Sequence, residues 1–472
     1  MCGIVGIVDA GDASVPLYYA LYALQHRGQE SAGISTFDGL RFYKHKGQGL
    51  VGEVFNEEVL SGLRGFIGVG HVRYPTTGAD LPENVQPFNF RFKDHFFSIA
   101  HNGNLVNTKE LRAEFEQLGE IFSTTTDTEV IASVIAHEYR RSNNIEDAIV
   151  LCMRKLRGSY AVVLLLDDTI YAFRDPLGIK PLCYGTFGED HHIVASESVA
   201  IDAIGGTLTR DVAPGEILTI DRNGVSSTQI TACSNKAHCI FEYIYFARAD
   251  SVIEGRLVYD IRRKIGAYLY EEDPISADLV SPVPDSGTSL AIGYAEQSHI
   301  PYREALMKNR YMGRTFIKPS QKDRETATRI KLNPIRDHIR GRSVILIDDS
   351  IVRGTTSRHI VEMMREAGAA QVHVRIGSPP IIAPCYLGVD MPTREELIAS
   401  DKDVEEVRES ISATSLHHIS LESLVEAIGI DIGELCIGCL SGQYPLTIEG
   451  ESCFCRNIDF VKGSFQVGLE SF

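Results

Sequence analysis

Apolar positions in the first half of the chain come in short blocks. The runs 66–74, 95–101, 160–166 and 193–196 are rich in β-branched and other apolar residues, with glycine and polar turn formers between them, and they predict strands. Residues 126–140 break that rhythm: Val130, Ile131, Val134 and Ile135 recur at helical spacing behind the hydroxyl-rich start Thr124-Thr125-Thr126. Many strands with few helices predict a layered α+β domain of stacked sheets.

From about Cys239 the texture changes to alternating helices and buried strands. The apolar run 278–283 leads into Pro284-Asp285-Ser286-Gly287, and the run 343–347 ends in Asp348-Asp349. A helix follows over 355–367, with Ile360, Met363, Met364 and Ala367 on one side and Gly368 as its stop. Strand, polar loop and helix form the βα unit of a parallel sheet, whose ligands gather at the carboxyl ends of the strands. The polar stretch 223–235 marks the boundary between two domains, 1–232 and 233–472. A chain of 472 residues is too long for one core.

Composition narrows the function. The apolar fraction is 44%, yet no uninterrupted apolar run approaches the ~20 residues of a membrane helix. The N-terminus lacks a basic leader and carries Asp9 and Asp12, so a cytoplasmic protein without a membrane partner is expected. A net charge of −17 argues against nucleic acid, so an anionic substrate needs a local cationic island. One exists between Lys308 and Lys331, where Arg310, Arg314, Lys318, Lys322, Arg324 and Arg329 face only Asp323 and Glu325. Ten cysteines in a chain of this length do not form a secreted disulfide framework.

The candidate chemistry begins at Met1-Cys2-Gly3. Excision of Met1 leaves Cys2 with a free α-amine titrating near ~8, so one residue supplies both a thiol nucleophile and its base. Taken alone, a cysteine at position 2 is incidental. Arg73, at a strand end, suits a carboxylate. His101-Asn102-Gly103-Asn104 is expected to end a strand in a tight turn that offers oxyanion donors. Asp127 either pairs with a bound amino group or caps its helix. At Asp348-Asp349, paired carboxylates can hold ribose hydroxyls or a cation. The loop after them presents backbone N–H groups at a helix start, a seat for phosphate.

The N-terminal runs, with Gln25-His26-Arg27-Gly28-Gln29-Glu30-Ser31 and Arg174-Asp175-Pro176-Leu177-Gly178-Ile179-Lys180-Pro181, resemble the glutaminase domain of class II amidotransferases, which are N-terminal-nucleophile hydrolases. The resemblance implies a four-layer αββα domain with Cys2 as nucleophile. It puts Arg73 and Asp127 on glutamine and Asn102 and Gly103 in the oxyanion hole, and leaves His71 and His101 structural. Residues 344–357 resemble the type I phosphoribosyltransferase fingerprint. That implies an α/β domain in which Asp348, Asp349, Ser350, Arg353, Gly354, Thr355 and Thr356 bind phosphoribosyl pyrophosphate. The 282–288 run resembles the pyrophosphate loop of the same enzymes, and the Mg²⁺ would be held by Ser286, Asp348 and Asp349. Lys308, Arg310 and Lys331 lie in runs similar to a loop that closes over the pyrophosphate.

Together the halves resemble the glutamine phosphoribosylpyrophosphate amidotransferase family. The implied reaction gives phosphoribosylamine, glutamate and pyrophosphate, the first committed step of purine synthesis. A homo-oligomer, tetrameric in the family, and nucleotide feedback inhibitors are implied as well. Cys436-Ile437-Gly438-Cys439, Cys239 and Cys385 match positions that hold a [4Fe–4S] cluster in one subclass. As residues they equally suit structural zinc, a redox pair or buried thiols, and Cys453 and Cys455 form a rival pair. Cys152, Cys183 and Cys233 read as packing residues.

The subclass often carries a propeptide that is absent before Cys2, so Met1 excision is expected to suffice. Ala249 and residues 326–328 depart from the family pattern outside these chemical groups. Other readings are a different class II synthetase, opposed by the phosphoribosyl fingerprint, and a non-catalytic sensor, opposed by the Cys2, Arg73, Asn102 and Asp127 set.

Overall fold

A computed structural model describes residues 1–8, 11–74, 81–92, 95–231, 236–309, 332–391 and 393–453, and the backbone of 460–466. The first half folds into two stacked antiparallel sheets, to which it contributes seven strands and six strands. In the first sheet Gly3–Val8 lies between His191–Ala195 and Ile67–Arg73, and Ser31–Phe37 follows beside Ile67–Arg73. In the second, Gly158–Leu166 lies between His95–Leu105 and Thr169–Arg174.

The N-terminal strand shows why its sequence is apolar throughout. Side chains alternate across a strand. Val5 and Ile7 pack with Leu17, Ala20 and Leu21 of the helix Ser14–Ala23, while Ile4 and Val8 join Val69, Ala100, Val163 and Leu218 between the sheets. Gly6 permits the close approach, since a Cβ there would sit 2.6 Å from Val163 Cγ1. The outer face of the second sheet is covered by Asp127–Ser142 and Ile145–Lys155, through Val130, Ile131, Val134, Ile149 and Met153. Helix, sheet, sheet, helix is the αββα layering.

The second half is built on a parallel sheet of Leu279–Pro282, Ser343–Asp348, Gln371–Ile376 and Ser415–His418. Ile345 and Ile347 face the helices Val258–Glu272 and Thr288–Ser298; Val344 and Leu346 face Thr355–Glu366. Both sides are covered, which explains the unbroken apolar runs.

The expected elements lie within about two residues of those observed, with one exception. The segment 101–104 is not a turn. The strand His95–Leu105 runs through it, pairing Asn102 with Ala161 and Gly103 with Tyr160. The expected boundary between 232 and 233 falls in 232–235, outside the described residues. The backbone of Phe460–Gln466 pairs with Gly224–Thr231, so part of the C-terminal segment adds a strand to the second sheet of the first half.

Candidate active site

Cys2 opens the central strand of the first sheet and is buried. Its backbone N–H donates to Asn102 Oδ1 at 3.0 Å, and its Sγ lies 3.7 Å from the Tyr74 carbonyl oxygen. Arg27 Nε donates to the Cys2 carbonyl at 2.9 Å. Met1 precedes Cys2 here, also buried, and burial foremost pushes its terminal amine down to about 5. Cleavage of the Met1–Cys2 bond would turn the N–H that Asn102 anchors into a free α-amine on the residue that carries the thiol.

Asn102 is fully buried, and its Nδ2 has no hydrogen-bond partner among the described residues. A buried unpaired donor on a side chain hydrogen-bonded to a cysteine's backbone has the chemistry an oxyanion site requires. Gly103 has φ +154°, and a Cβ there would stand 2.0 Å from the Ser159 carbonyl oxygen. Only glycine fits.

Arg73, at the end of its strand, is buried and paired with Glu30. Asp127 does not cap its helix, whose N-cap is Thr126. Its carboxylate instead accepts the Leu105 N–H at 3.1 Å and lies 3.4 Å from His101 Nδ1. Burial opposes its charge, yet His101 and the backbone N–H hold its titration below the usual aspartate range. His101 thus orients Asp127, a structural duty, while burial and then Arg73 push His71 down to about 3 and keep it neutral.

The second centre lies at the carboxyl ends of Leu279–Pro282 and Ser343–Asp348. The 283–287 loop is tied there by Val283 N–H to Ile347 O at 2.8 Å and Gly287 N–H to Val283 O at 3.0 Å. A Cβ on Gly287 would stand 2.3 Å from Ile347 O, so the loop lies against the strand end that carries Asp348. The Asp349 N–H donates to Asp348 Oδ1 at 3.0 Å, and Ser350 Oγ donates to Asp349 Oδ2 at 2.6 Å. Burial and then the Asp349 charge push the Asp348 carboxyl well above the usual range. Gly354, at φ +73°, turns the chain into Thr355–Glu366, which Thr355 and Thr356 open. Lys308 Nζ pairs with Asp285 at 2.6 Å, and Arg353 with Glu396. Arg310 and Lys331 lie outside the described residues.

The cysteines converge as well. Cys239 and Cys436 are register partners in the parallel pair His238–Cys239 and Leu435–Cys436. The Cys439 carbonyl accepts the N–H groups of Ile382 and Ala383 at 3.0 and 3.1 Å, tying the Cys385 loop beside it. Burial foremost pushes the Cys239 thiol up to about 11 and Cys436 up to about 12. Cys439 goes well above the usual range, and the charges of the other three cysteines act on it. Among the described residues no three His, Cys, Asp or Glu side chains are grouped as a metal-ion site. Cys453 is held in a disulfide and Cys455 lies outside the described residues. Cys152 and Cys183 are buried in apolar clusters.

The two halves meet at the loop around Cys385. Asn104 Nδ2 donates to the Tyr386 carbonyl at 2.7 Å, and Ser159 Oγ to the Leu387 carbonyl at 2.8 Å. A glutamine amidotransferase domain model matches residues 71–203. The amidophosphoribosyltransferase of Methanothermobacter thermautotrophicus is 53% identical over 454 residues, 95% of either chain. The chain belongs to the amidophosphoribosyltransferase family. The Archaeoglobus fulgidus relative is 50% identical, across 96% of this chain and all of that one. The solved Bacillus subtilis glutamine phosphoribosylpyrophosphate amidotransferase, complexed with ADP and GMP, matches with a TM-score of 0.88 at 45% identity. That match covers 96% of this chain and 99% of the other. The likeness gives the fold class: an N-terminal-nucleophile glutaminase unit followed by a phosphoribosyltransferase unit on a parallel sheet.

Several residues behind the site carry no role in the sequence reading. Arg27 is fully buried and bridges Glu197 and Glu242, and Glu197 also takes His26 Nε2, Ser251 Oγ and the Arg248 N–H. Lys180 is fully buried too. Both stand inside family-like runs; Lys180 is a lone cation among apolar neighbours, which was a signal, whereas Arg27 lies in the polar run 25–30, which gave none.

Proposed function

We propose that this amidophosphoribosyltransferase releases ammonia from glutamine at Cys2 and passes it within the chain to phosphoribosyl pyrophosphate. The observation that carries the reading is the Cys2 N–H anchored on Asn102 Oδ1, with Asn102 Nδ2 left unpaired beside the thiol. After Met1 excision the α-amine takes the thiol proton as Sγ bonds to the glutamine amide carbon. Asn102 Nδ2 and the Gly103 N–H receive the developing oxyanion. The same amine returns the proton to the leaving nitrogen, the C–N bond breaks, and a glutamyl thioester and ammonia result. Water then hydrolyses the thioester. Arg73, already steadied by Glu30, takes the glutamine α-carboxylate, and Asp127 takes its α-ammonium.

In the second half, ammonia bonds to C1 of the ribose as the bond to the pyrophosphate oxygen breaks. Asp348, Asp349 and Ser286 would hold Mg²⁺. The fit rests on two adjacent carboxylates at one strand end, with burial and mutual charge lifting Asp348. When bound, the cation neutralises charge on the leaving pyrophosphate. Ser350, Arg353, Gly354, Thr355 and Thr356 present the phosphate seat at the helix start. Lys308, Arg310 and Lys331 would supply positive charge to the pyrophosphate.

Cys239, Cys385, Cys436 and Cys439 would hold a [4Fe–4S] cluster. Two buried cysteines, Cys239 and Cys439, and two half-buried ones, Cys385 and Cys436, with the charges of the other three bearing on Cys439, fit a group that binds them as thiolates. When bound, the cluster pins the C-terminal segment to the Cys385 loop. Purine nucleotides would bind as inhibitors, in keeping with the ADP and GMP of the Bacillus subtilis complex. The reading also has the enzyme as a cytoplasmic homotetramer.

Replacing Cys2 by alanine tests the division of labour. Glutamine-dependent pyrophosphate release should vanish while ammonia-dependent release persists. Equal loss of both would overturn it.

A further inference from the structure

Lys180 is a lysine with no exposed surface, and among the described residues its Nζ donates only to the Met1 sulfur, at 2.8 Å. No carboxylate pairs with it among the described residues. Glu242, whose charge bears on the same region, is already taken by both Nη atoms of Arg27. A buried ammonium without a counter-ion costs several kcal/mol, and a thioether returns little of that. Met1 excision removes even the thioether. The mature chain therefore needs an anion near Lys180 that no carboxylate among the described residues provides.

The segments around Lys180 show where that anion lies. Its neighbour Ile179 accepts the Cys239 N–H at 3.2 Å, and Leu177 accepts the Ala237 N–H at 2.7 Å, so 177–179 runs alongside the strand that ends in Cys239. A Cβ on Gly388 would stand 3.1 Å from Lys180 Cε and 3.2 Å from the Gly103 carbon. Gly388 belongs to the Cys385 loop, in which Cys385 Sγ accepts the Leu387 N–H at 3.4 Å. The Lys180 charge acts on both Cys239 and Cys436. The lysine therefore stands between the ligand segments on one side and the oxyanion glycine and the N-terminus on the other.

We infer that Lys180 is a positioning residue: the buried counter-ion of the four-cysteine iron–sulfur site, and the link that ties this site to the glutaminase centre. The inference rests on the cluster reading above. A fixed cation beside the cluster stabilises its more negative, reduced form and strengthens retention of the thiolate ligands.

The test uses the full chain, mature at Cys2, loaded anaerobically with iron and sulfide, as wild type, Lys180→Met and Lys180→Arg. Methionine keeps the length and removes the charge. Expected are a more negative midpoint potential in K180M and roughly tenfold faster loss of iron to a chelator, the scale typical of outer-shell substitutions. K180R should restore both toward wild type. An unchanged potential in a K180M protein that holds its full iron would overturn the inference. Equal defects in K180M and K180R would do so too, because they would trace to shape rather than charge. If the wild-type chain itself takes up no iron and sulfide, the cluster reading fails instead, and the two failures are distinct.

Discussion

Arg27 offers a sharp test of how Cys2 is held. Its side chain has no exposed surface, and three of its nitrogens serve three acceptors: the Cys2 carbonyl, Glu197 and Glu242. Arg27→Met keeps most of the volume and removes the charge. Glu197 keeps His26, Ser251 and the Arg248 N–H, whereas Glu242 loses both hydrogen bonds that Arg27 gives it. Breaking a buried ion pair on one side costs about 3–5 kcal/mol, because the other charge remains buried. The Cys2 carbonyl also loses a charged donor worth about 1.5–3 kcal/mol. If that donor steadies the attacking residue, glutamine kcat/KM falls roughly ten- to hundredfold, while ammonia-dependent activity falls far less.

The pH dependence separates this cause from a packing defect. Burial opposes the Glu197 charge, but His26 and Arg27 hold its carboxyl far below the usual glutamate range. A depressed carboxyl contributes stability that is present above its unfolded value, near 4.5, and is lost as pH falls through the folded one. R27M gives up part of that contribution. The gap between wild type and variant should therefore be full at pH 7 and narrow below about pH 4.5. Chemical denaturation at both pH values measures it, and the double variant with Glu242→Gln should recover part of the loss at pH 7. A gap under about 1 kcal/mol at pH 7, or one that does not change with pH, would refute the reasoning.

Other outcomes follow from the same geometry. Gly103→Ala places a Cβ 2.0 Å from the Ser159 carbonyl at a positive φ, so glutaminase activity should be lost and stability should fall by about 1–3 kcal/mol, read by activity and thermal unfolding. Asp348→Asn should abolish ammonia-dependent synthesis measured as pyrophosphate release. Without Mg²⁺ it should also raise the thermal midpoint at pH 7. A carboxyl lifted by burial and by Asp349 costs stability once ionised, so that gain should fade as pH drops. Cys436→Ser should lower iron and sulfide per chain after anaerobic loading while leaving glutamine binding measurable by calorimetry.

The residues legible in the sequence share one property: each sits in a contiguous run at a strand end. Cys2, Arg73 and Asp348-Asp349 could be placed from the apolar blocks beside them, and those blocks became buried strands. The misread segment, 101–104, shows the limit of local patterns. Asn-Gly is a strong turn signal, but here the strand Gly158–Leu166 pairs straight through it. The glycine serves clearance from Ser159 rather than chain reversal. What stayed hidden is the charge that supports the site. Arg27 meets Glu197 across 170 positions and Glu242 across 215, and Lys180 lies against a glycine of the Cys385 loop. No periodicity links such partners, since register and layer packing choose them. Lys180, a lone cation inside an apolar run, leaves a trace that a counter-charge must exist without saying where; Arg27, set in the polar run 25–30, leaves none. In this fold Arg27 finds its counter-charge on both sides of 232–235. The glutaminase centre therefore rests on an ion-pair core that the first half cannot complete without Glu242 from the second.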